Sequence, residues 1–542
     1  MTFVVSSGPA IRSYGGWPVT DTRPVSQRSH ATIPLLSGLF WAVRLSVKIL
    51  LFFERFKQKI LLINITMNTQ TKTKVIATVG PASRNEKTLM AMVEAGVDVF
   101  RLNFSHSTHE EHGESIKMIE KINKKLGKNV AVLADLQGPK IRLGELKDGP
   151  FELKKGDEVI FTTQKVKGTA KKLYLSYESF AEDARVGDRM LIDDGKIEMQ
   201  VVKLLNSKEV VAKTIYGGMI NPRKGVNLPN TNISLPSLTE KDIKDLEFIL
   251  TQPNISWIAL SFVRQYNDVI KLRGMLEFKS HDARIIAKIE KPEAIKDIDN
   301  IVKVADAIMV ARGDLGVEVP VENVPSLQKM IVRKCLAISK PVIIATQLME
   351  SMIHNPSPTR AEVTDVSNAI LEGADAVMLS GETAVGKYPA KVIETMQRII
   401  MRSEEMSDIY NRVRTLDPDS PKFLSDAICH NAIDVSEEVA AKAIIGMTKS
   451  GYTAFSLASF RPKANIYVFT ESKYLLNAVS LIWGVRAFFY NKMVSNDNTI
   501  AEVHDFLKEK GLLEKGDIVI NTGSMPIHEK GSTNFLKVSV IA

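Results

Sequence analysis

The stretch RIIAKIEKPEAIKDIDNIVKVADAIMVARGDLG, from Arg284 to Gly316, decides the predicted fold of this chain. It begins with a short run rich in Ile and Ala and continues with a stretch of helical periodicity that contains Pro292 in its first turn. A second apolar run, DAIMVA, follows the helical stretch. A strand, a helix and a strand in this order predict two parallel strands joined by a crossover helix.

The same order of elements repeats from Lys74 to about Gly386. Eight apolar runs alternate there with helical stretches such as NEKTLMAMVEAG and AEVTDVSNAILEGA. The runs are KVIATVG, VDVFRLNFS, NVAVLADLQG, SWIALSFV, RIIAKIEK, DAIMVARGDLG, PVIIATQLME and DAVMLSGETAVG. Eight strands alternating with helices predict the α/β class and a closed (β/α)8 TIM barrel in preference to an open doubly wound sheet.

The alternation is interrupted once, between Gly138 and about Ser234. Short β-type runs are separated there by Gly-Asp and Asp-Gly turns, which predicts a small antiparallel β-barrel inserted as a lid domain in a βα loop. A further α/β region with the strands AAKAIIGMT, NIYVFT and DIVINTG follows Met406. The predicted domains are a barrel, an inserted lid domain and a C-terminal α/β domain, at residues 67–137 with 235–406, 138–234 and 407–542.

The chain has 542 residues and a formal net charge of +9, but the excess of positive charge is local. Residues 1–66 contain eight Lys or Arg and two Asp or Glu, a net +6, which leaves +3 for the other 476 residues. This distribution argues against nucleic acid as a partner. Cys335 and Cys429 have no Cys-x-x-Cys spacing, so we expect no metal cluster and a reducing, cytoplasmic location.

Residues 1–66 form an N-terminal extension that lacks the barrel pattern. Its apolar segments ATIPLLSGLFWAV and ILLFF are interrupted by Arg44 and Lys48, and they are too short for a transmembrane helix. Met67 is followed by polar residues that lead directly into the first strand, so we expect the native chain to start there. A short membrane-surface helix is the alternative, although we expect no membrane partner.

Polar residues follow the predicted barrel strands. Function in such barrels gathers at the carboxyl ends of the strands, because the βα loops converge there. Charged residues are unusual at these positions, since a barrel interior is normally Val, Ile and Leu. The residues concerned are Arg101, Asn103, Ser105, His106, Asp135, Lys288, Glu290, Arg312, Gly313, Asp314, Thr346, Ser380 and Glu382.

Two neighbouring strand ends predict a charged site. Lys288 and Glu290 are two residues apart and share one face of a strand, where a purely internal ion pair is the alternative interpretation. Glu290 and Asp314 can form a hard-oxygen site for Mg²⁺, completed by substrate oxygens and water. The Lys288 ammonium could then stabilise a phosphoryl or enolate group. Gly313 would let backbone N–H groups approach a carboxylate, unless ARGDLG is an ordinary turn.

The chain resembles the pyruvate kinase family over nearly its whole length from Lys72 to Ala542. The matching stretches are TKVIATVGPASRN, VFRLNFSH, LADLQGPKIRLG, KGVNLPN, IIAKIEKPEA, IMVARGDLGVE, ATQLMESM, PTRAEVTDVSNAILEGADAVMLSGETAVGKYP and TKSGYTA. The resemblance implies transfer of the phosphoryl group of phosphoenolpyruvate to ADP, giving pyruvate and ATP in the final step of glycolysis. It also implies a homotetramer in which the C-terminal domain is regulatory.

The resemblance assigns the substrate and metal positions. Lys288 would steady the transferring phosphoryl group, and Glu290 and Asp314 would bind Mg²⁺, for which Mn²⁺ can substitute. The backbone of Gly313 and Asp314 and the hydroxyl of Thr346 would hold the substrate carboxylate. Thr346 would also help to protonate the enolate.

Further roles follow from the same resemblance. Arg101 is similar to the phosphate-binding arginine of the family, and Ser380 would take part in proton transfer through water. Arg142, Lys224 and His106 match positions on the nucleotide side. A loose phosphoryl-transfer transition state needs positioning and positive charge more than covalent chemistry, so this division of roles is physically reasonable.

The monovalent-cation site departs from the commonest family pattern. Potassium-dependent members use Asn, Ser, Asp and Thr, which correspond here to Asn103, Ser105, Asp135 and Leu136. The glutamate usual nearby is replaced by Lys140, as in the potassium-independent branch. A tethered ammonium could supply the charge of K⁺, and a solvated turn lysine is the alternative interpretation.

The C-terminal segment TKSGYT resembles a phosphate-binding loop for an allosteric effector, with Thr448, Lys449, Ser450, Gly451 and Thr453 as its candidate residues. A plain strand-to-helix turn is the alternative. The effector is expected to be phosphorylated, and a sugar monophosphate and a nucleotide are equally compatible with the sequence.

Two other functions are compatible with parts of this sequence pattern. An aldolase or lyase acting on pyruvate would share a Glu/Asp metal pair, but it has no nucleotide for an inserted domain to cover. A paralogue kept as a metabolite sensor would be expected to lose Lys288, Glu290, Asp314 or Thr346, and all four are present.

Overall fold

A computed structural model describes residues 71–406, 409–412, 415–492, 496–525 and 533–542. The expectations about the N-terminal extension and a start at Met67 lie outside these residues. Within them, no helix is long and apolar enough to cross a membrane.

The strands and helices alternate in the barrel and C-terminal regions for the most part, whereas the inserted region is a succession of strands. In chain order the strands are β1 (Lys74–Thr78), β2 (Val99–Asn103), β3 (Ala131–Asp135), β4 (Phe151–Leu153), β5 (Glu158–Thr162), β6 (Lys172–Tyr174), β7 (Arg189–Ile192), β8 (Ile197–Asn206), β9 (Glu209–Tyr216), β10 (Gly218–Ile220), β11 (Val226–Asn227), β12 (Ile255–Leu260), β13 (Arg284–Ile289), β14 (Ala307–Ala311), β15 (Val342–Ala345), β16 (Ala376–Leu379), β17 (Ala443–Met447), β18 (Asn465–Thr470), β19 (Val485–Phe489), β20 (Ile518–Gly523) and β21 (Phe535–Val540). The α-helices span Glu86–Ala95, His109–Leu126, Phe180–Asp183, Glu240–Ile249, Tyr266–Phe278, Pro292–Lys296, Ile298–Val304, Arg312–Glu318, Val324–Ala337, Arg360–Glu372, Gly381–Ala384, Pro389–Glu404, Phe423–Glu438, Tyr452–Ser459, Lys473–Ala478 and Asn496–Glu509.

The predicted TIM barrel is confirmed. Eight parallel strands close in the order β1-β2-β3-β12-β13-β14-β15-β16, and they are the eight strands expected from the apolar runs. Strands β1, β3 and β14 are buried along their whole length, as expected when helices cover the outside of a barrel. All eight carboxyl ends therefore meet on one face, where the polar residues were predicted to gather.

Local capping explains where the barrel helices begin and end. The Asn85 side chain accepts a hydrogen bond from the N–H of Thr88 at the start of the first helix, and Gly96 ends that helix with φ +112°. The stretch PEAIKDIDNIVKVA forms two helices instead of the single predicted one, and the break lies at Asp297. The Asp297 carboxylate accepts the N–H of Tyr266 at 2.7 Å, which holds this residue out of helical geometry.

The inserted region consists mainly of β-strands, as predicted, with one short helix at Phe180–Asp183. Its main part is a curled six-stranded sheet in the order β11-β7-β8-β9-β5-β6, and β10 pairs separately with β4. Three register irregularities between β8 and β9 increase the local twist and let the sheet curl around its own core. The pairings are antiparallel except for β5 with β6, which differs from the purely antiparallel expectation.

The C-terminal region is a separate α/β sheet in the order β19-β18-β17-β20-β21, with β21 antiparallel to β20. Strands β17, β18 and β20 were predicted, whereas β19 and β21 were not. The interior of this domain continues into the barrel, because Trp257 and Ile286 belong to the same hydrophobic cluster as Phe455. The C-terminal domain packs at the amino ends of the barrel strands, because Lys74 at the start of β1 donates to the backbone oxygen of Val485 at 3.0 Å and Arg284 at the start of β13 donates to that of Ser450 at 2.8 Å. The domain limits stay predictions.

Candidate functional site

Four buried charged side chains meet at the carboxyl ends of β2, β3 and β13. Arg101 forms an ion pair with Asp135 at 2.7 Å, and Lys288 lies 3.3 Å from the other oxygen of Asp135. The Lys288 ammonium is also 2.9 Å from Oε1 of Glu290, so the alternation along β13 does place both side chains on one face. The cluster has alternating charge and spans three strand ends.

Two hydroxyl residues complete this cluster, and neither was singled out from the sequence. Lys288 donates to Oγ of Ser261 at 2.7 Å, and Ser261 donates to the backbone oxygen of Leu136 at 2.8 Å. Arg101 donates to Oγ1 of Thr78 at 3.0 Å. The signal for both is weak in the sequence, since one Ser just after a strand and one Thr at a strand end are common features.

The charges of the cluster control one another's ionisation. Burial opposes the negative charge of Asp135, but Lys288 and Arg101 outweigh it and lower the pKa of this carboxyl. Burial also opposes the positive charge of Lys288, yet Asp135 and Glu290 raise its pKa above the ordinary value. The cluster therefore holds fixed ionised groups in a water-poor site, where they act strongly on a nearby anion.

Glu290 and Asp314 provide a pair of carboxylates that follow the neighbouring strands β13 and β14, with Asp314 in the helix Arg312–Glu318. Burial raises the pKa of Glu290 and Asp314 acts in the same direction, although Lys288 lowers it. Oε2 of Glu290 accepts the N–H of Phe262 at 2.7 Å, whereas Oε1 is buried without a well-aligned hydrogen-bond donor. Among the described residues no group of three or more His, Cys, Asp or Glu surrounds a point that could hold a metal. Any cation here would have to share its coordination with other oxygens.

Gly313 and Thr346 form a small cradle beside these carboxylates. The N–H of Gly313 donates to Oγ1 of Thr346 at 2.8 Å, and Thr346 has a left-handed φ of +69°. A Cβ built at Gly313 would lie 3.2 Å from that hydroxyl, so a side chain here would fill the cradle. Arg312 holds the cradle in place, because its guanidinium binds Asp365 at 2.7 Å and the backbone oxygen of Thr346 at 2.8 Å.

Comparison with known proteins identifies the family. A family model described as the pyruvate kinase barrel domain matches residues 70–393, and one described as the pyruvate kinase alpha/beta domain matches residues 426–539. The chain belongs to the pyruvate kinase family. It is a phosphotransferase that moves the phosphoryl group of phosphoenolpyruvate to ADP and gives pyruvate and ATP. Pyruvate kinases generally use Mg²⁺ and K⁺.

Individual relatives agree with this assignment. A pyruvate kinase of Geobacillus stearothermophilus is 42% identical over 479 residues, which cover 87% of this chain and 80% of the relative. One from Staphylococcus aureus is 40% identical over 475 residues, with the same coverage. The crystal structure of a pyruvate kinase from Cryptosporidium parvum matches with a TM-score of 0.80 at 33% identity, covering 88% of this chain and 97% of that one.

Ser380 follows β16, next to the strand that leads to Thr346. Its N–H donates to Oε2 of Glu382 at 2.7 Å, and Oε1 of the same carboxylate accepts the N–H of Met349 at 3.2 Å. Burial raises the pKa of Glu382. Glu382 therefore ties together the two loops that carry Ser380 and Thr346 in this pyruvate kinase fold.

The predicted monovalent-cation residues lie together, but Lys140 contacts a different carboxylate. Asn103 and Asp135 are paired in the register of β2 and β3, and Oδ1 of Asn103 accepts the N–H of Ser105 at 3.1 Å. The Lys140 ammonium lies 3.3 Å from Oδ1 of Asp314. Leu136 is buried and contributes its backbone oxygen to Ser261.

The predicted nucleotide residues lie at the entrance to the inserted domain. Arg142 donates to the backbone oxygen of Arg223 at 3.4 Å, and Lys224 forms an ion pair with Asp193 at 2.8 Å. Partial desolvation of the His106 imidazole, together with Arg142 and Arg101, lowers the pKa of this histidine. Arg142 and Lys224 therefore form a cationic surface, whereas the lowered pKa of His106 favours its neutral form, which can still donate or accept a hydrogen bond.

The predicted effector loop is a tight turn after β17. The N–H of Gly451 donates to Oγ1 of Thr448 at 2.9 Å, and Gly451 has φ +87°. Thr453 shares a hydrogen bond of 2.7 Å with Thr533. Lys449 lies 3.8 Å from Glu471, and the backbone oxygen of Ser450 accepts a hydrogen bond of 2.8 Å from Arg284.

Proposed function

We propose that Glu290 and Asp314 hold the Mg²⁺ ion of the phosphotransfer reaction, and that Mn²⁺ can replace it. The observation that carries this proposal is the buried Oε1 of Glu290, which has an ammonium beside it but no aligned donor. Two carboxylates suit Mg²⁺, which usually takes few protein ligands and keeps water and substrate oxygens in its shell. When bound, the ion would supply positive charge to the oxygens of the phosphoryl group.

We further propose that Lys288 and Arg101 hold the phosphoryl group of phosphoenolpyruvate. Both cations are fixed by Asp135, so they need little reorganisation when negative charge shifts during transfer. The N–H groups of Gly313 and Asp314 and the hydroxyl of Thr346 would bind the substrate carboxylate. This cradle would orient the substrate for in-line transfer to the nucleotide.

Ser380 and Thr346 would deliver the proton that converts the enolate to pyruvate, through water. Arg142, Lys224 and His106 would bind the nucleotide under the inserted domain, which acts as a lid that excludes water. The pairings of Arg142 and Lys224 are solvent-accessible and therefore easily exchanged for phosphate oxygens.

Lys140 is proposed to supply the charge that K⁺ gives in potassium-dependent members of the family, in place of an ion at Asn103, Ser105, Asp135 and Leu136. Its ammonium lies at the same end of the barrel as the substrate cradle, on Asp314. An ammonium attached to the chain does not lose the translational freedom of a free ion.

The remaining proposals concern regulation and assembly. The loop Thr448–Thr453 is proposed to bind a phosphorylated effector through its hydroxyl and N–H groups. A homotetramer and a cytoplasmic location are proposed from the family, and the free, buried Cys335 and Cys429 suit a reducing compartment.

A coupled assay tests the reaction and the metal site together. Pyruvate formation from phosphoenolpyruvate should require both ADP and a divalent metal, whereas formation without ADP would indicate a lyase. Glu290→Gln and Asp314→Asn should each weaken Mn²⁺ binding by about tenfold or more. Glu318→Gln is the matched control, because Glu318 is a buried carboxylate paired with Lys291 at 2.7 Å outside the proposed site. Equal Mn²⁺ affinity in all these variants would contradict the assignment.

A further inference from the structure

Two chain segments connect the inserted domain to the barrel, and hydrogen bonds join them into one element. The N–H of Val226 donates to the backbone oxygen of Ile141 at 2.9 Å, and the N–H of Leu143 donates to that of Lys224 at 2.8 Å. We call residues 138–143 and 224–227 the hinge ribbon. The ribbon starts at Gly138, whose φ is +67° and where a Cβ would lie 2.9 Å from the Phe262 ring. Its first residue is thus closely seated against the barrel.

The helix Arg312–Glu318 holds the hinge ribbon at two points. At one end the Lys140 ammonium lies 3.3 Å from Oδ1 of Asp314. At the other end Asn227 donates to Oε1 of Glu318 at 2.8 Å. The stem of Lys140 runs along the returning segment, since a Cβ at Gly225 would lie 3.3 Å from Cε of Lys140. Both attachments therefore join the connection of the inserted domain to one short barrel helix.

The two attachments use carboxylates with different proposed roles. Glu318 lies outside the proposed metal site, whereas Asp314 is one of its two proposed ligands. The side chains of Lys140 and Asp314 are 28% and 27% exposed, so their ion pair can open at little cost. A divalent cation bound directly to Asp314 would neutralise the carboxylate and repel the ammonium beside it.

We propose that Lys140 competes with the divalent metal for Asp314, so that metal binding breaks one of the two attachments of the hinge ribbon to the helix Arg312–Glu318. This inference rests on the proposed metal site at Glu290 and Asp314. Because the two events are thermodynamically linked, metal binding loosens the ribbon and a loosened Lys140 contact raises the metal affinity by the same factor. The ribbon then keeps only its attachment through Asn227 and Glu318, so the inserted domain moves more easily when the metal is in place.

Metal affinity gives the first test. Mn²⁺ binding to the substrate-free enzyme is measured by electron paramagnetic resonance for the wild type, Lys140→Gln and Lys224→Gln. Lys140→Gln should bind Mn²⁺ about fivefold more tightly, since an exposed ion pair contributes up to about 1 kcal/mol. Lys224 is the matched control, because it lies on the same ribbon but pairs with Asp193, so its loss should change the affinity less than about twofold. Equal effects of the two variants, or none, would overturn the proposal.

Hydrogen exchange at the ribbon gives the second test. Peptides containing the N–H groups of Leu143 and Val226 should exchange about fivefold faster when Mg²⁺ is added to the wild type. In Lys140→Gln the exchange should be fast already and should not respond to Mg²⁺. Asn227→Ala loosens the other attachment and leaves Asp314 paired, so it should still respond. Slower exchange of the wild type on adding Mg²⁺, or no change, would contradict the release.

The Asp314→Asn variant separates the two possible failures. If it binds Mn²⁺ as tightly as the wild type, the proposed metal site is wrong. If it binds Mn²⁺ weakly while Lys140→Gln is unchanged, the metal site stands and only the competition by Lys140 is wrong.

Discussion

The buried charge cluster and the hinge ribbon contain the same kinds of ion pair in opposite environments. Side chains of Arg101, Asp135, Lys288 and Glu290 are at most 10% exposed, and each contacts at least one other member. The ribbon pairs are more open, with Lys140 at 28% and Lys224 at 39% exposure. The buried pairs hold their side chains in place, as the proposed phosphoryl site requires, whereas the more exposed ribbon pairs can open and bind other groups.

This difference sets the size of the expected mutational effects. Removing one partner of a buried ion pair leaves a charge without compensation and costs about 3–5 kcal/mol. An exposed pair contributes about 0–1 kcal/mol. Substitutions in the cluster should therefore change both folding stability and chemistry, and substitutions in the ribbon should mainly change affinity.

Lys288→Met should have the largest effect, a fall in kcat of about 10³-fold at saturating substrates and Mg²⁺, because the central cation of the cluster is lost. Lys291→Met is the matched control. It removes a neighbouring buried ammonium, which pairs with Glu318 at 2.7 Å, and should cost similar stability with less than about tenfold loss of kcat. Thermal unfolding measures the stability of both variants. Equal losses of kcat in the two variants would show that the effect of Lys288→Met comes from the loss of a buried charge and not from the loss of phosphoryl binding.

Asp135→Asn should lower the free energy of unfolding by about 3 kcal/mol, since Arg101 and Lys288 lose their shared carboxylate. The folded pKa of Asp135 is lowered, so its stabilisation is complete above the unfolded pKa of about 3.9 and is lost as pH falls through the folded value. Urea unfolding at several pH values should show a constant difference between variant and wild type at neutral pH, and a shrinking one below about pH 4. A difference that grows on acidification would contradict the paired state.

Gly313→Ala should raise the KM for phosphoenolpyruvate about tenfold, because the added Cβ would lie 3.2 Å from Oγ1 of Thr346 and crowd the cradle. Gly316→Ala on the same helix is the control, since its Cβ would meet Val324 at an ordinary 3.6 Å. Steady-state kinetics with ADP saturating distinguishes the two variants. A parallel change in both would indicate an effect on the helix and not on the cradle.

Much of the fold could be predicted from the sequence, because hydrophobic periodicity reports it directly. All eight barrel strands were identified from apolar runs, and the carboxyl-end rule then placed the charged residues on one face. Strand β21 was missed although Leu536, Lys537, Val538 and Ser539 alternate between apolar and polar residues, because it is an edge strand whose Val538 and Val540 remain exposed. The break at Asp297 was missed because it depends on a contact with a distant helix.

The site could be predicted less completely, because side-chain reach is not encoded in a local pattern. The pairing of Lys288 with Glu290 follows from their spacing, but the contact of Lys288 with Ser261 depends on neighbouring strands. Lys140 was singled out because it stands where the family usually has a glutamate. Its contact with Asp314 depends on the path of the ribbon across the barrel, which no sequence motif describes.

The central claim is that the Lys140 ammonium supplies the positive charge that a bound K⁺ ion supplies in potassium-dependent members of the family. The most direct test is the turnover of the wild-type enzyme with Mg²⁺ in buffer free of Na⁺ and K⁺, before and after addition of saturating KCl. We expect the turnover to change by less than about twofold, and we expect Lys140→Glu to require K⁺. A rise of about tenfold or more in the wild type would contradict the claim.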